Sequence, residues 1–453
     1  MSQEVANIFK AYDIRGLVDL EIDPDFTFAT GVAFAHFLQQ QREPGTVVIG
    51  EDMRPSSIPL ADAFSAGVTS LGMDVIRIGL ASTDMLYFAS GKLGLPGAMF
   101  TASHNPAEYN GIKLCLSSAR PIGKESGLLT IENFVRNGSA LELRSVGVET
   151  TRDMLEEYVD HLFSLVDLSK IRPLKIVVDA GNGMAGHTAP AIFARLNCEL
   201  IPMYFELDGT FPNHEANPID EKNLRDLQRA VIEHGADLGL AFDGDADRCF
   251  LVDEKANAVN PSDLTSLIAE RELKKNPGST IIYNLISSRA VLEVIEENGG
   301  VGLRSRVGHS YIKKMMAESK AIFGGEHSGH FYFDDFWRAD SGALAALHAI
   351  AALGESDKSM SEILKPYQRY CLSGEINSKV ADTQAATALV ESTYSSLAGV
   401  TTDHLDGLTV NGDTWWFNLR PSNTEPLLRL NVEAKSPERM QELRDEVLAL
   451  IRG

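Results

Sequence analysis

Three times this sequence runs from a short apolar stretch, patterned like a buried strand, straight into a polar loop rich in glycine or Asx residues. Residues 97–100 lead into Thr101-Ala102-Ser103-His104-Asn105-Pro106, and residues 238–242 into Asp243-Gly244-Asp245-Ala246-Asp247-Arg248. Residues 321–323 lead into Gly324-Gly325-Glu326-His327-Ser328-Gly329-His330. Strands of this kind that alternate with amphipathic helices imply α/β units with largely parallel sheets. Three units that each end a strand in a polar loop are expected to pool those loops in one site.

The alternation runs through most of the chain. Residues 24–41 carry Phe26, Ala29, Ala33, Phe34 and Phe37 at helical spacing. A strand is expected at 46–50, a helix at 55–71 with proline near its start, a strand at 74–79 and a helix at 83–94. After a loose, glycine-bearing stretch at 117–150, a second unit reads as helix 152–166, strand 175–179, helix 183–196, strand 199–205, helix 222–234 and strand 238–242. A third reads as helix 262–274, strand 280–284, helices 289–297 and 310–318, strand 321–323 and helix 340–353. Beyond Pro366 the pattern changes to a strand at 373–377, a helix at 382–397, three antiparallel strands at 408–410, 414–419 and 428–432, and a last helix at 437–451. The expected architecture is therefore three α/β domains with mixed sheets (1–148, 149–253 and 254–366) plus a smaller α+β C-terminal domain (367–453) around a central cleft.

Composition narrows the function. A chain of 453 residues exceeds what one core supports. A net charge of −22 argues against nucleic acid and against anionic membrane surfaces as partners. Cys115, Cys198, Cys249 and Cys371 lie far apart with no CxxC spacing, so neither a zinc site nor a disulfide framework is indicated, which suits a reducing cytoplasm. The N-terminus has no basic-then-apolar leader, and no apolar run reaches the roughly 18 residues of a membrane span. The closest, 343–353, is interrupted by His348. A cytoplasmic location is expected.

The loops carry the chemistry. Ser103 and His104 side by side, closed by Asn105-Pro106, make a stiff loop presenting a hydroxyl, because a residue before proline is pushed out of helix. Asp243, Asp245 and Asp247 alternate, so in an extended loop their carboxylates can converge on a hard cation of magnesium type. An EF-hand fits the spacing and puts Glu254 at the twelfth place, but Arg248 stands where that loop needs glycine, and 249–252 is a strand run. Glu326 and Ser328 alternate and can face one way to read sugar hydroxyls; the alternative is a helix-entry loop in which Glu326 caps. Gly308-His309-Ser310 precedes a helix whose Lys313 and Lys314 are expected to form a solvated basic face. Arg420-Pro421-Ser422-Asn423-Thr424-Glu425-Pro426 offers a planar donor fork and short polar side chains on a turn, which suits a phosphate.

Together with Tyr12-Asp13-Ile14-Arg15-Gly16 and Asn110-Gly111-Ile112-Lys113, these loops resemble, in order and over the whole chain, the α-D-phosphohexomutase family, most closely its bacterial phosphomannomutase/phosphoglucomutase branch. The resemblance implies that Ser103 holds the transferred phosphoryl group and, with Asp243, Asp245 and Asp247, binds Mg²⁺. It implies that Glu326 and Ser328 read sugar hydroxyls and that Arg420, Ser422, Asn423 and Thr424 hold the distal phosphate, with Tyr12 and Arg429 also in contact with substrate. Arg15, Lys113, Arg248, His309 and His330, with His104 beside the serine, resemble the surrounding cations and proton carriers. The sequence departs from the family pattern at His327, where dual-specific members often have Met, and at Asn284, where the pattern leads one to expect lysine.

The implied activity is reversible transfer of a phosphoryl group between the 1- and 6-positions of mannose phosphates, and of glucose phosphates, through phospho-Ser103 and a hexose 1,6-bisphosphate that turns round in the cleft. The implied partner is a small phosphosugar, and the implied state a monomer or small homo-oligomer. A phosphoserine carries about −2, so with three aspartates beside it Lys113 and Arg248 have an electrostatic reason to be present. The rival readings are a phosphoglucosamine mutase, a non-catalytic sugar-phosphate-binding protein, and a phosphatase with Asp243 as nucleophile.

Overall fold

The computed structural model describes residues 8–138, 145–421 and 427–453, with the side chains of residues 309 and 310 left outside the description. The chain divides into two compact units, one made of residues 1–260 with 328–363 and the other of residues 261–327 with 364–453.

The first unit is built on two sheets. In the larger, β1 (Ile14–Leu17), β2 (Thr46–Glu51), β3 (Asp74–Leu80), β4 (Gly97–Phe100), β5 (Tyr109–Leu116), β6 (Arg120–Pro121) and β7 (Glu149–Thr151) lie in the order β1-β5-β4-β2-β3-β7, with β6 beside β5. β2 runs parallel to β3 and β4, whereas β5 returns antiparallel to β4, so Met99 faces Lys113 and Phe100 faces Ile112. The serine loop is thus the turn between two fully hydrogen-bonded central strands. In the smaller sheet β8 (Leu174–Asp179), β9 (Cys198–Met203), β10 (Leu238–Phe242) and β11 (Cys249–Asp253) take the order β11-β10-β8-β9, and the aspartate loop is the turn of the antiparallel pair β10–β11. β10 and β11 are buried at every position, which is why each reads as a continuous apolar run rather than an alternating one.

Helix Pro24–Gln41 starts where Asp23 accepts from the Phe26 N–H at 2.7 Å and proline occupies the first turn. It crosses helix Ser57–Ser70 with the two backbones touching. A Cβ on Gly31 would lie 2.2 Å from the Phe64 carbonyl, and one on Gly67 would lie 2.2 Å from that of Phe28. That approach brings Phe34 onto Phe64 and Phe64 onto Phe100, at centroid distances of 5.9 and 5.4 Å, and so ties the helices to the strand that ends at the serine loop. The hairpin of Phe331–Phe333 with Ala339–Asp340 also belongs to this unit. Its Trp337 rests on Gly91 of helix Thr83–Leu93, where a Cβ would be 2.2 Å from the indole.

In the second unit, strand Thr280–Asn284 runs parallel to Val301–Ser305 on one side and Phe323–Gly325 on the other. Its C-terminal part is a five-stranded antiparallel sheet in which Cys371–Lys379, Leu427–Ala434, Trp415–Pro421, Leu408–Asn411 and Thr401–Asp403 are neighbours in that order. Helices Thr383–Ser395 and Pro437–Arg452 cover this sheet through Val390, Tyr394, Leu443 and Val447.

Several local expectations need correction. The loose stretch at 117–150 contains helix Leu129–Asn137 and strand β7. Strand Val301–Ser305 is not anticipated, since Val301 is exposed, the next three positions are only half-buried, and the pattern is weak. Residue 340 is strand, and the helix begins at Gly342 after Ser341, whose hydroxyl accepts from the Leu344 N–H. Lys313 is buried, 3% exposed, not part of a solvated face; Lys314 is the solvated one. Helical period explains it, because Ile312, Lys313 and Met316 share the inward face. Among the described residues no helix is long and apolar enough to cross a membrane.

Candidate active site

Ser103 stands in a left-handed backbone conformation, φ 51°, that a serine adopts at a cost of about 1–2 kcal/mol. The Thr101 hydroxyl accepts from its N–H at 2.9 Å. Its own hydroxyl, 5% exposed as a residue, donates to Asp243 Oδ2 at 2.8 Å and lies 3.0 Å from His104 Nδ1. Burial, helped by the positive charges of Arg248 and Arg15, holds the His104 imidazole well below the usual histidine range, so the ring is neutral. Arg15, on β1, donates to Asn105 Oδ1 at 2.7 Å and pairs with Asp13. Tyr12 is half-buried in the bend just before that strand.

The aspartate loop is pressed against the serine loop. A Cβ on Gly244 would be 2.3 Å from the Ser103 carbonyl oxygen, so only glycine lets the two backbones touch. Asp243, Asp245 and Asp247 are all buried, and one oxygen from each lies within 4.8 Å of the others. Oδ1 of Asp245 and Oδ1 of Asp247 are buried and accept no hydrogen bond from any described residue. Buried lone pairs left open on an all-oxygen donor set fit a hard, oxygen-seeking divalent cation. The Lys113 ammonium, on β5, donates to Asp245 Oδ2 and Asp247 Oδ2, both at 2.6 Å. Burial works against that charge, but the two carboxylates outweigh it and hold Lys113 well above the usual lysine value. Burial and the neighbouring carboxylates push Asp243 up to about 7 against the opposing charge of Arg248. For Asp245, Lys113 overcomes burial and holds the carboxyl well below the carboxylate range. Arg248 donates from Nε to Asp243 Oδ2 at 2.9 Å, while its buried Nη2 has no partner among the described residues.

A second layer holds the loop. The Thr83 hydroxyl donates to Asp245 Oδ2 at 2.5 Å, and its N–H donates to the Asp245 carbonyl at 3.0 Å. Next to it, buried Asp84 accepts from Ser82, Tyr158 and Ser341, and burial raises its carboxyl to about 6. The hairpin brings His330 to the same place, its Nε2 3.5 Å from Asp247 Oδ1 and 3.9 Å from Asp340 Oδ2, with Nδ1 2.9 Å from the Ser328 hydroxyl.

Of the residues singled out from sequence, the structure thus gathers Arg15, Ser103, His104, Lys113, Asp243, Asp245, Asp247, Arg248, Ser328 and His330 in the first unit. Tyr12 lies in the same unit, whereas His309, Glu326, Arg420 and Arg429 belong to the second. Glu326 is buried and accepts from the Gly308 N–H at 3.0 Å, at the head of helix His309–Ser319. This contact at the helix entry is of the kind the capping alternative describes. His309 is the first residue of that helix. Arg420 and Arg429 face each other across two antiparallel strands and share Glu375, each with one nitrogen 3.4 Å from its carboxylate, and Arg420 also lies 3.5 Å from Asp406. Ser422, Asn423 and Thr424 lie outside the described residues. His327 is pushed below the usual histidine range by burial, against the pull of Glu375. Asn284 is fully buried and accepts from the Ser287 hydroxyl at 2.8 Å.

Sequence reasoning missed Asp52, Arg54, Thr83, Asp84, Asp340 and Glu375. For Asp52 and Arg54 a signal existed: Asp52-Met53-Arg54-Pro55 follows β2 just as the other polar loops follow their strands. Nothing in the local sequence distinguishes Glu375, whose importance comes only from the strand pairing that places it under two arginines.

Four successive domain models described as phosphoglucomutase/phosphomannomutase match the chain: α/β/α domain I over residues 6–142, domain II over 156–257, domain III over 260–370 and the C-terminal domain over 375–450. A relative from Xanthomonas campestris named as a phosphohexose mutase is 40% identical over 448 residues, covering 98% of this chain and 99% of its own. A phosphomannomutase of Escherichia coli K12 is 40% identical over 449 residues, 97% of each chain. Among solved structures, a phosphoglucomutase/phosphomannomutase family protein from Burkholderia thailandensis superposes with a TM-score of 0.90 at 30% identity, covering 100% of this chain and 98% of its own.

Proposed function

The chain belongs to the phosphoglucomutase/phosphomannomutase family, and we propose that it moves a phosphoryl group reversibly between the 1- and 6-oxygens of hexose phosphates, with mannose as the physiological sugar and glucose also accepted. The observation that carries this reading is the Ser103 hydroxyl, held in a left-handed turn 2.8 Å from Asp243 in a buried nest of three carboxylates and two cations.

In this reading Ser103 carries the phosphoryl group at rest. The Oγ–P bond breaks as a sugar oxygen bonds to phosphorus, and a second transfer returns the other phosphoryl group of the hexose 1,6-bisphosphate to Ser103. Asp243, Asp245, Asp247 and the phosphoseryl oxygen would hold Mg²⁺, which when bound supplies positive charge to the phosphoryl oxygens. Phosphoryl transfer asks a protein for positioning and charge stabilisation more than for covalent chemistry. Lys113 fixes Asp245 and Asp247, and Arg248 offers an anionic oxygen its Nη2, which has no partner among the described residues. Arg15 braces the serine loop through Asn105. His104, neutral and 3.0 Å from Oγ, can take up or return the proton of that oxygen, with His330 and His309 as the other proton carriers.

Tyr12, Glu326 and Ser328 are assigned to the sugar, and Arg420, Arg429, Ser422, Asn423 and Thr424 to the distal phosphate. Glu326 and Ser328 read hydroxyls remote from C2, which mannose and glucose present alike, so the epimers are separated weakly. The reading includes four domains at 1–148, 149–253, 254–366 and 367–453, a cytoplasmic location, and a monomer or small homo-oligomer. Coupled assays on mannose 1-phosphate, glucose 1-phosphate and glucosamine 1-phosphate, with Mg²⁺ and a trace of hexose 1,6-bisphosphate, test it. The first two should be converted to their 6-phosphates and the amino sugar poorly. Fastest turnover of the amino sugar moves the protein to the phosphoglucosamine branch, and no turnover of any overturns the enzymatic reading.

A further inference from the structure

Arg54 has no place in the functional reading, yet the serine loop is folded around it. Its guanidinium donates to three backbone carbonyls of that loop, Ser103 at 3.0 Å, Asn105 at 2.7 Å and Pro106 at 2.8 Å, and to that of Tyr109, where β5 begins, at 2.9 Å. The side chain is 0% exposed. Behind it, Asp52 accepts from the Arg54 N–H at 3.0 Å and lies 3.3 Å from Nε. In front, the Phe211 ring sits 5.1 Å from the guanidinium carbon.

Buried arginines usually answer carboxylates, and Arg77 in the same unit does so, pairing with Glu51 and Asp62 at 3.0 and 2.8 Å. Arg54 also has a carboxylate behind it, Asp52 at Nε, but it turns both terminal nitrogens onto backbone oxygens. One of them, the Ser103 carbonyl, is also the atom against which Gly244 of the aspartate loop packs. The carbonyl that Arg54 holds is therefore the contact that sets the serine loop against the aspartate loop, and a serine at φ 51° stays there only if its neighbours over-determine it.

We propose that Arg54 is a positioning residue for phosphoryl transfer. By gripping the Ser103 and Asn105 carbonyls it fixes the left-handed turn that aims the Ser103 oxygen at the aspartate loop. This rests on the reading of Ser103 as the phosphoryl carrier. Lysine keeps the charge but, as a point donor, cannot span four carbonyls in one plane.

The test measures, per folded molecule, how fast full-length Arg54→Lys accepts a phosphoryl group from glucose 1,6-bisphosphate with Mg²⁺, read by intact mass and peptide mapping, alongside kcat and KM for mannose 1-phosphate. Arg77→Lys serves as the control for loss of a buried arginine. R54K should slow phosphorylation of Ser103 and kcat about 10²-fold, the cost of misplacing a reacting group by about 1 Å, with KM nearly unchanged, while R77K lowers Tm and leaves kcat alone. R54K no slower than R77K overturns the role of Arg54. Should R54K fail to fold, Asp52→Asn, which loosens the guanidinium without removing it, should show a smaller loss with the same kcat-against-KM split, and a wild-type rate there overturns the role. Wild-type protein that takes no phosphoryl group onto Ser103 overturns the functional reading and this role with it.

Discussion

Two charged clusters of this molecule are built by opposite means. In the first unit three buried aspartates and the buried Arg248 are joined by a half-buried Lys113, bonded at 2.6–2.9 Å and clamped by backbones that touch at Gly244. In the second, Arg420 and Arg429 meet Glu375 and Asp406 at 3.4–3.5 Å, with arginine side chains 13% and 37% exposed. Charges fixed out of water keep their geometry and act strongly on whatever charge develops beside them. A pair that water reaches, as it reaches Arg429 and Glu375 at 37% and 28% exposure, is loose and exchanges partners at little cost. The first arrangement suits a centre where bonds change, and the second suits capture and release of an anionic group that must leave again.

The comparison breaks most sharply at the serine. Ser103→Ala is expected to remove at least about 4 kcal/mol of transition-state stabilisation, roughly 10³-fold in turnover, with the fold intact by circular dichroism; near-normal turnover would mean the buried cluster is not the reacting centre. Next come the carboxylates. Chelation with EDTA should abolish turnover and Mg²⁺ restore it, and Asp245→Asn should weaken Mg²⁺ binding in calorimetry while leaving Tm similar. Full activity in chelator refutes the metal assignment.

The second cluster should respond differently. Arg420→Ala is expected to raise KM for the hexose phosphate by about 10- to 100-fold, the worth of one charged hydrogen bond of roughly 1.5–3 kcal/mol, with phosphorylation of Ser103 from a bisphosphate little changed. An unchanged KM puts the distal phosphate elsewhere.

The smallest effect sharpens the contrast without touching turnover directly. Asp84 titrates at about 6 in the fold because it is buried, against an ordinary 3.8. Between those values the folded state holds the proton and the unfolded chain does not, so this contribution to stability is complete below about pH 4 and is lost as pH rises through about 6. Relative to Asp84→Asn, the wild type should therefore lose on the order of 2 kcal/mol between pH 4 and 7, read from chemical denaturation at each pH. Parallel curves for the two proteins would show that the Asp84 carboxyl is hydrated.

Legibility in the sequence followed the kind of interaction. Strands β10 and β11 and the loop between them could be read because full burial on both faces writes an unbroken apolar run on each side of three alternating aspartates. Strand Val301–Ser305 could not, since an edge strand that is mostly half-buried has no such signature. Lys313 was misjudged because a lysine is ordinarily solvated, and only packing of its helix turned it inward.

What the sequence by itself determined is the alternation of strand and helix, the order of the loops, and which loops carry hydroxyl, carboxylate and guanidinium groups. These depend on periodicity and on residue chemistry, both of which are local. Only the tertiary structure decided that Gly244 seats against the Ser103 carbonyl, that Lys113 reaches two aspartates more than a hundred residues away, and that Arg54 gathers three carbonyls of the serine loop and that of Tyr109 in β5. Each of these is set by how closely two backbones approach across separate strands, a distance that no local pattern encodes.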